Sequence, residues 1–394
     1  MNHKLAFAAL LVSSALFSSF TPSTSIQAAS ISSPTYDFNY AQDQNNYYGS
    51  SSGTTITRHG VTFIEVKELL AGTLGLKLYW DQSKQQATFN GFMKKIVFRI
   101  DSRTATVDGK SIAMTSAPFI LQNPTTQQKE IYVPIRSVVQ FLGGHSLHMD
   151  SQKHVITADQ LQAFNVITDV YQGDTYTMRK INGDLYHSHH NSQPVKIASI
   201  HTPLDFFEFS NIGVSSTSKG LQMVRIQNAS GEPHIYHEDF TMIFKNGSLI
   251  RQSSMDYHLN KHTNSTMYNG NIILNDGQNL RIIEDGTGNV LENIDLVKLV
   301  GKKDKYVVES LQSDIVLLRA ISDSHLTLID RKTGQSVVLY KELLTTEQQK
   351  LVDPTTMPFG VDDRLTYIKR IHNMLYFTYG KDSEDEQQVT YTLK

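Results

Sequence analysis

His187-Ser188-His189-His190 is the densest group of side chains able to hold a metal ion in this 394-residue chain. Strand alternation turns residues two apart toward one face, so His187 and His189 could ligate one ion; imidazole suits copper, zinc or nickel. A structural site also needs a third ligand and an oriented surrounding shell. The bracketing pairs Asn182-Gly183 and Asn191-Ser192 fit an exposed hairpin that simply carries histidines. His258 and His262 have i, i+4 spacing but lack the His-Glu-x-x-His pattern of a zinc-binding helix. Asp276-Gly277-Gln278-Asn279 and Glu284-Asp285-Gly286-Thr287-Gly288-Asn289 are oxygen-rich, yet neither has the calcium-loop spacing or its terminal bidentate glutamate. They read as hairpin turns. Glu238-Asp239, Asp362-Asp363 and Glu384-Asp385-Glu386 are adjacent acids, and neighbours on a strand face opposite ways and cannot share a proton. Nucleophile elbows, phosphate loops and dinucleotide fingerprints are absent from the sequence. The residues therefore name no catalytic group and no cofactor, with copper at His187 and His189 as the alternative.

The elements that would position any site are legible elsewhere. Tyr132 and Val133 are strand formers, and Pro134 suits the first helical position, where its missing N–H costs nothing. Ile135, Val138, Val139 and Leu142 then form an apolar helical stripe, stopped by Gly143-Gly144. The unit occurs twice: a shift of 69 residues lays Phe63–Leu70 on Tyr132–Val139 and Leu78–Asp81 on Leu147–Asp150. Between the copies, alternating runs flank Asp108-Gly109, a strong hairpin signal.

In order, Val107-Asp108-Gly109-Lys110, Pro118, Tyr132-Val133-Pro134-Ile135-Arg136, a helix ending Leu142-Gly143, a strand ending at Asp150, Lys153 and Val155-Ile156-Thr157 resemble the copper amine oxidase N-terminal-like, or stalk, domain of secreted bacterial proteins. The resemblance covers residues 54 to 160. Glu65 stands where the pattern has proline, and Met149 stands where the first copy keeps Trp80. The resemblance implies small α+β modules, a twisted antiparallel sheet holding a helix, at the front of diverse extracellular proteins. It does not imply amine oxidation. That chemistry needs a quinone-forming tyrosine in an Asn-Tyr context, an His-x-His pair and a third histidine, and here Asn39-Tyr40 and Asn46-Tyr47 precede the matched segment.

Residues 1–29 have the parts of a secretory signal peptide: Asn2-His3-Lys4, the apolar, serine-broken Leu5–Phe20, and small residues around Ala28-Ala29. The apolar run is shorter than the roughly 20 residues a spanning helix needs, and no later stretch is apolar enough. Residues 30–53, rich in Tyr, Ser and Asn, read as a flexible leader. Zero cysteines exclude disulfides, thiolate metal sites and a lipidated N-terminal cysteine. A net charge of −2 gives no reason to propose nucleic acid or an anionic membrane as partner.

From residue 161 to 394 the helical stripes vanish, and short β runs alternate with Asn182-Gly183, Asn246-Gly247, Asn269-Gly270, Asp276-Gly277 and Asp285-Gly286. Leu280–Glu284 with Thr287-Gly288 overlays Leu326–Asp330 with Thr333-Gly334 at an offset of 46. That period suits a β-propeller of four to six blades, with a β-sandwich as alternative and one short helix over Leu343–Leu351.

The expected fold is thus a duplicated α+β module followed by an all-β, propeller-like domain. The expected function is a secreted, non-catalytic binding or scaffold protein of the bacterial cell envelope, its partner a cell-wall component or envelope protein. A polysaccharide hydrolase or lyase with a carboxylate site in the β domain and a copper-binding protein are the alternatives. If export is right, the mature chain begins at Ala29 or Ser30, which intact-mass measurement of the secreted protein checks; retention of Met1 would refute it.

Overall fold

The computed structural model describes residues 33–41, 47–123, 125–190, 192–206, 209–231, 236–258, 263–352, 362–380 and 386–393. The expected signal peptide lies outside them. Seven strands form the N-terminal sheet in the spatial order His148–Asp150, Val155–Leu161, Thr35–Ala41, Tyr47–Arg58, Val61–Glu65, Lys129–Pro134 and Phe119–Gln122. A five-stranded meander, from Lys77–Asp81 to Lys110–Ala113, completes this part, and its last turn is the expected Asp108-Gly109 hairpin. With only two seven-residue helices, Lys67–Thr73 and Ile135–Phe141, the part is mostly β.

The flexible leader expected over residues 30–53 is corrected. Thr35–Ala41 is a strand, parallel to Val155–Leu161 and antiparallel to Tyr47–Arg58. Tyr36, Phe38 and Tyr40 alternate with Asp37 and Asn39, so one face of the strand is wholly aromatic and buried, at 8%, 0% and 0% exposure. The polar composition around them hid a period-two signal.

The two segments that the 69-residue shift overlays pair with each other as antiparallel strands. Tyr132 pairs with Glu65, Val133 with Ile64 and Pro134 with Phe63, so Ile64 and Val133, equivalent under the shift, face each other and their neighbours are exchanged about them. Glu65 replaces proline for a visible reason. Its carboxylate accepts the Lys67 and Glu68 N–H groups at 2.8 Å each, satisfying donors that a helix start leaves open. Pro134 itself, with ψ of 128°, is the residue before the helix rather than its first position. The first helix is wound wider, Leu74 N–H reaching Leu69 O at 3.0 Å. Beyond the helices the copies part: Lys77–Asp81 opens the five-stranded sheet, whereas His148–Asp150 returns to the edge of the larger one. Both helices nevertheless bury their stripes in one core, Leu69 and Leu70 beside Val138, Val139 and Leu142.

Residues 166–199, 210–258, 267–295 and 306–338 each form a four-stranded antiparallel meander, and residues 365–392 form a three-stranded one. The expected turn pairs close their hairpins, with Asn246 and Asn269 at φ of 50° and 47° ahead of glycines that are also at positive φ. The 46-residue repeat maps onto Asn279–Ile283 and Leu326–Asp330, the third strands of consecutive meanders. Leu343–Leu351 is two helices rather than one, Leu339–Leu343 and Thr346–Val352. Each meander packs a face on the next: Tyr176, Met178 and Leu185 against Val224, Ile226 and Phe240; Ile243 against Ile272 and Ile283; Leu280 against Tyr306 and Leu318; Leu317 and Leu328 against Leu375 and Phe377. This is a propeller-like succession. Among the described residues no apolar cluster joins the fifth meander to the first.

Buried charges bind neighbouring meanders. Asp285, 2% exposed, accepts from Thr217 Oγ1, from Ser218 Oγ at 2.9 Å and from Lys219 N–H at 2.9 Å. Burial alone would raise its pKa, but these donors outweigh burial and hold it below the usual carboxylate range. The stabilisation is therefore complete above the unfolded carboxyl's pKa of roughly 4 and fades as pH falls through the lower folded value. Asp285→Asn is expected to cost about 1–3 kcal/mol at pH 7, with the gap to the parent closing toward pH 3 and below; denaturant melts at both pH values check this.

Candidate functional site

The strand Asp184–His189 pairs with Asp174–Arg179, setting Asp174 opposite His189 and Tyr176 opposite His187. Residues directly opposite share a face, so Asp174, His187 and His189 converge as the alternation expected for the two histidines requires. His187 Nε2 lies 3.0 Å from Asp174 Oδ2, off the line of a hydrogen bond, and is otherwise a buried nitrogen without a partner. His189 Nδ1 meets Asp174 Oδ1, and His190 Nδ1 lies 2.7 Å from His189 Nε2. The two rings hold the Asp174 carboxyl below its ordinary range, His187 foremost. Ser192 fixes the backbone of His189 from both sides, accepting its N–H at 3.1 Å and donating its own to the His189 carbonyl at 2.8 Å. The sequence pointed to His187 and His189; Asp174 and His190 complete the group, and only pairing across the hairpin brings Asp174 to it.

The other sequence candidates resolve as structure. Asp276 Oδ1 accepts from the Gln278 and Asn279 N–H groups at 3.0 and 2.7 Å, an Asx turn. Glu284 accepts from Thr287 in its own hairpin. Glu238 and Asp239 do face apart: Glu238 accepts from Asn228 at 3.0 Å and Asp239 from Tyr257 Oη at 3.1 Å. Asp362 and Asp363 are corrected. They lie before a strand, not on it, and both meet Arg319 Nη1, at 3.2 and 2.6 Å. Arg319 is fully buried, and Glu309 at 2.5 Å and the Leu365 carbonyl at 2.7 Å complete its shell. Burial alone would lower its pKa; Asp363, Glu309 and Asp362 raise it instead. Its sequence signal was a lone charge in the strand Ile315–Ala320. His262 and Glu384-Asp385 lie outside the described residues. Tyr40, expected to lie in the leader, is in the core, donating to or accepting from Ser51 Oγ at 2.6 Å.

A second feature, absent from the sequence reading, is the seam between the two halves. Phe206 leaves the meanders and enters the N-terminal core, stacking on Tyr40 at 5.9 Å and edge-on to Tyr48 at 5.0 Å. Gly49 makes room, since a Cβ there would lie 2.7 Å from the Phe206 ring. Phe92 packs edge-on to Tyr186 at 5.1 Å, and Asn165 donates to the Thr73 carbonyl at 3.0 Å. A cleft of about 440 Å³ opens along the seam, lined by Tyr48 and Ser50 from one half and Asp205, Phe206, Asn228 and Glu238 from the other. Asn228 braces it, accepting the Asp205 N–H at 2.7 Å while donating to Glu238. Tyr48 Oη is buried there without a hydrogen bond, and burial together with the Asp205 charge raises its pKa.

Residues 44–157 match the copper amine oxidase N-terminal domain family. The match begins within the residues expected to be a leader. No curated protein matches the chain. Among solved structures, apo AztD of Citrobacter koseri is similar at 12% identity over 77% of this chain and 80% of that one, with a TM-score of 0.27. Virginiamycin B lyase of Staphylococcus aureus is similar at 9% identity over 84% and 88%, with a TM-score of 0.24. Sqt1 of Saccharomyces cerevisiae is similar at 8% identity over 88% and 87%, with a TM-score of 0.26. The propeller-like description rests on the strand order and face packing above, not on these likenesses.

Phe206→Ala leaves a cavity between Tyr40 and Tyr48 and is expected to cost about 3–5 kcal/mol. Differential scanning calorimetry should then show the N-terminal part melting apart from the meanders; a single unshifted transition would count against the seam.

Proposed function

We propose that the protein is an exported binding protein of the bacterial cell envelope, in which the N-terminal part is a rigid mount for the propeller-like meanders. The observation that supports this best is the seam. A tethered binding domain on a flexible linker would need no aromatic plug, whereas Phe206 in the Tyr40–Tyr48–Gly49 socket ties the orientation of one half to the other. In this reading the mount is an α+β stalk duplicated about Ile64 and Val133, and the serial hairpin loops of the meanders offer the contact surface. The partner is a cell-wall component or another envelope protein. The rigid seam limits the conformational entropy lost when such a surface docks, which favours affinity.

A second reading, a hydrolase acting on polysaccharide, draws on one observation: Asp205 and Glu238 line the same cleft. Paired carboxylates are the machinery of glycoside cleavage. One experiment separates the two. Purified mature protein incubated with cell-wall material is expected to sediment with it while releasing no reducing sugar, and Glu238→Gln is expected to leave sedimentation unchanged. Release of sugar that disappears in Glu238→Gln would replace the binding reading with the hydrolytic one; neither sedimentation nor capture of an envelope protein would remove the first reading.

A further inference from the structure

We propose that Asp174, His189 and His190, with His187 set against the Asp174 carboxylate, form a binding site for a divalent first-row transition metal ion, with Zn²⁺ and Cu²⁺ the best-matched occupants. The proposal is independent of the mount reading.

The donor set is the first argument. One ligand atom each of Asp174, His189 and His190 lie within 4.8 Å of one another, and His187 Nε2 stands 3.0 Å from the same carboxylate. Two imidazoles with one carboxylate, leaving a position open, is a set that zinc and copper accept and that magnesium and calcium, which prefer all-oxygen shells, do not.

The state of the nitrogens is the second. His189 Nε2 and His190 Nδ1 face each other at 2.7 Å, a distance that demands a proton between them. A metal bonded to both at about 2.0–2.1 Å in tetrahedral geometry would set them roughly 3.3 Å apart. That opening needs only a small swing of His190, which is exposed and sits at the strand end. His187 Nε2 is buried and makes no hydrogen bond. Its contact is Asp174 Oδ2 at 3.0 Å, so it steadies the carboxylate from the sheltered side.

The backbone, too, is shaped for the cluster. Asp174 begins its strand straight after Gly173, whose φ is 85°, and a Cβ at Gly173 would lie 3.3 Å from His190 Nε2. The missing side chain leaves the place the imidazole occupies. Ser192 holds His189 from beyond the turn, and the Tyr176 ring lies 4.9 Å from that of His187. The ligands therefore come from a paired hairpin, a stiffer support than a loop.

The test uses the full mature chain without an affinity tag, stripped with chelator and dialysed. Titration with ZnCl₂ and with CuCl₂, followed by calorimetry, is expected to show saturable binding of one ion per chain and a rise in melting temperature, with MgCl₂ giving neither. His190→Ala, at an exposed position, and the double variant Asp174→Asn/His189→Ala should each weaken binding by about tenfold or more, while His372→Ala, at a distant turn, should match the parent. The metal-free melting temperature of His190→Ala should equal that of the parent, so its loss of affinity reports ligation rather than folding. Absence of saturable binding by either ion, or affinity unchanged in His190→Ala and in the double variant, would overturn the proposal.

Discussion

The insertion of Phe206 into the N-terminal core is the contact on which the arrangement of the two halves depends. A phenyl ring that belongs by sequence to the meanders is buried among Tyr40, Tyr48 and Gly49, and it can be there only because position 49 carries no side chain. Its surroundings are the residues with the least regular sequence. Tyr40 and Tyr48 come from the two strands that the composition disguised as a leader, so the segment that read as most dispensable forms the socket. Aromatic packing of this kind combines a large buried area with a geometric preference that resists rotation. The cleft beside it, with Asp205, Asn228 and Glu238, is a by-product of the same joint: neither half builds it alone.

Within the meanders the same principle operates with charge in place of rings. Asp285 reaches from one sheet to the turn of the preceding one, and Arg319 gathers Glu309, Asp362, Asp363 and two carbonyls between the fourth and fifth. Such groups are costly to bury, and each is tolerable only because each of its charged-group nitrogens or oxygens has a partner. Apolar faces alone would allow stacked sheets to slide; a fully satisfied arginine admits one register. The stack is thus pinned at intervals by polar contacts across its seams.

The chemistry-bearing residues occupy the first of these meanders, close to the joint. Asp174 and His189 are cross-strand partners, and His187 lies two residues further in along the same strand, opposite Tyr176. Burial grades along the strand, from Leu185 in the core through half-buried His187 to exposed His189 and His190. A group arranged this way has one end sheltered from water and one end open to it, the usual condition for a site that must both hold and admit a small ion.

Several features were determined by local sequence alone. Asp108-Gly109 made its hairpin because those residues adopt positive φ cheaply, and the stripe from Ile135 to Leu142 made its helix because the spacing leaves no other way to bury it. The 69- and 46-residue shifts overlaid segments that both fold as strands, since similar side-chain patterns suit similar local structure. The pairing of His187 with His189 followed from strand periodicity in the same way. What tertiary structure decided was everything that joins residues far apart in the chain. Asp174 arrives beside His189 through hairpin register, and Asp362 and Asp363 converge on Arg319 across a gap of more than forty residues. Tyr36, Phe38 and Tyr40 become core only when Val155–Leu161 and Tyr47–Arg58 close on either side. Local patterns record which face a residue shows; which partner meets that face depends on how the chain returns, and that information is spread over the whole fold.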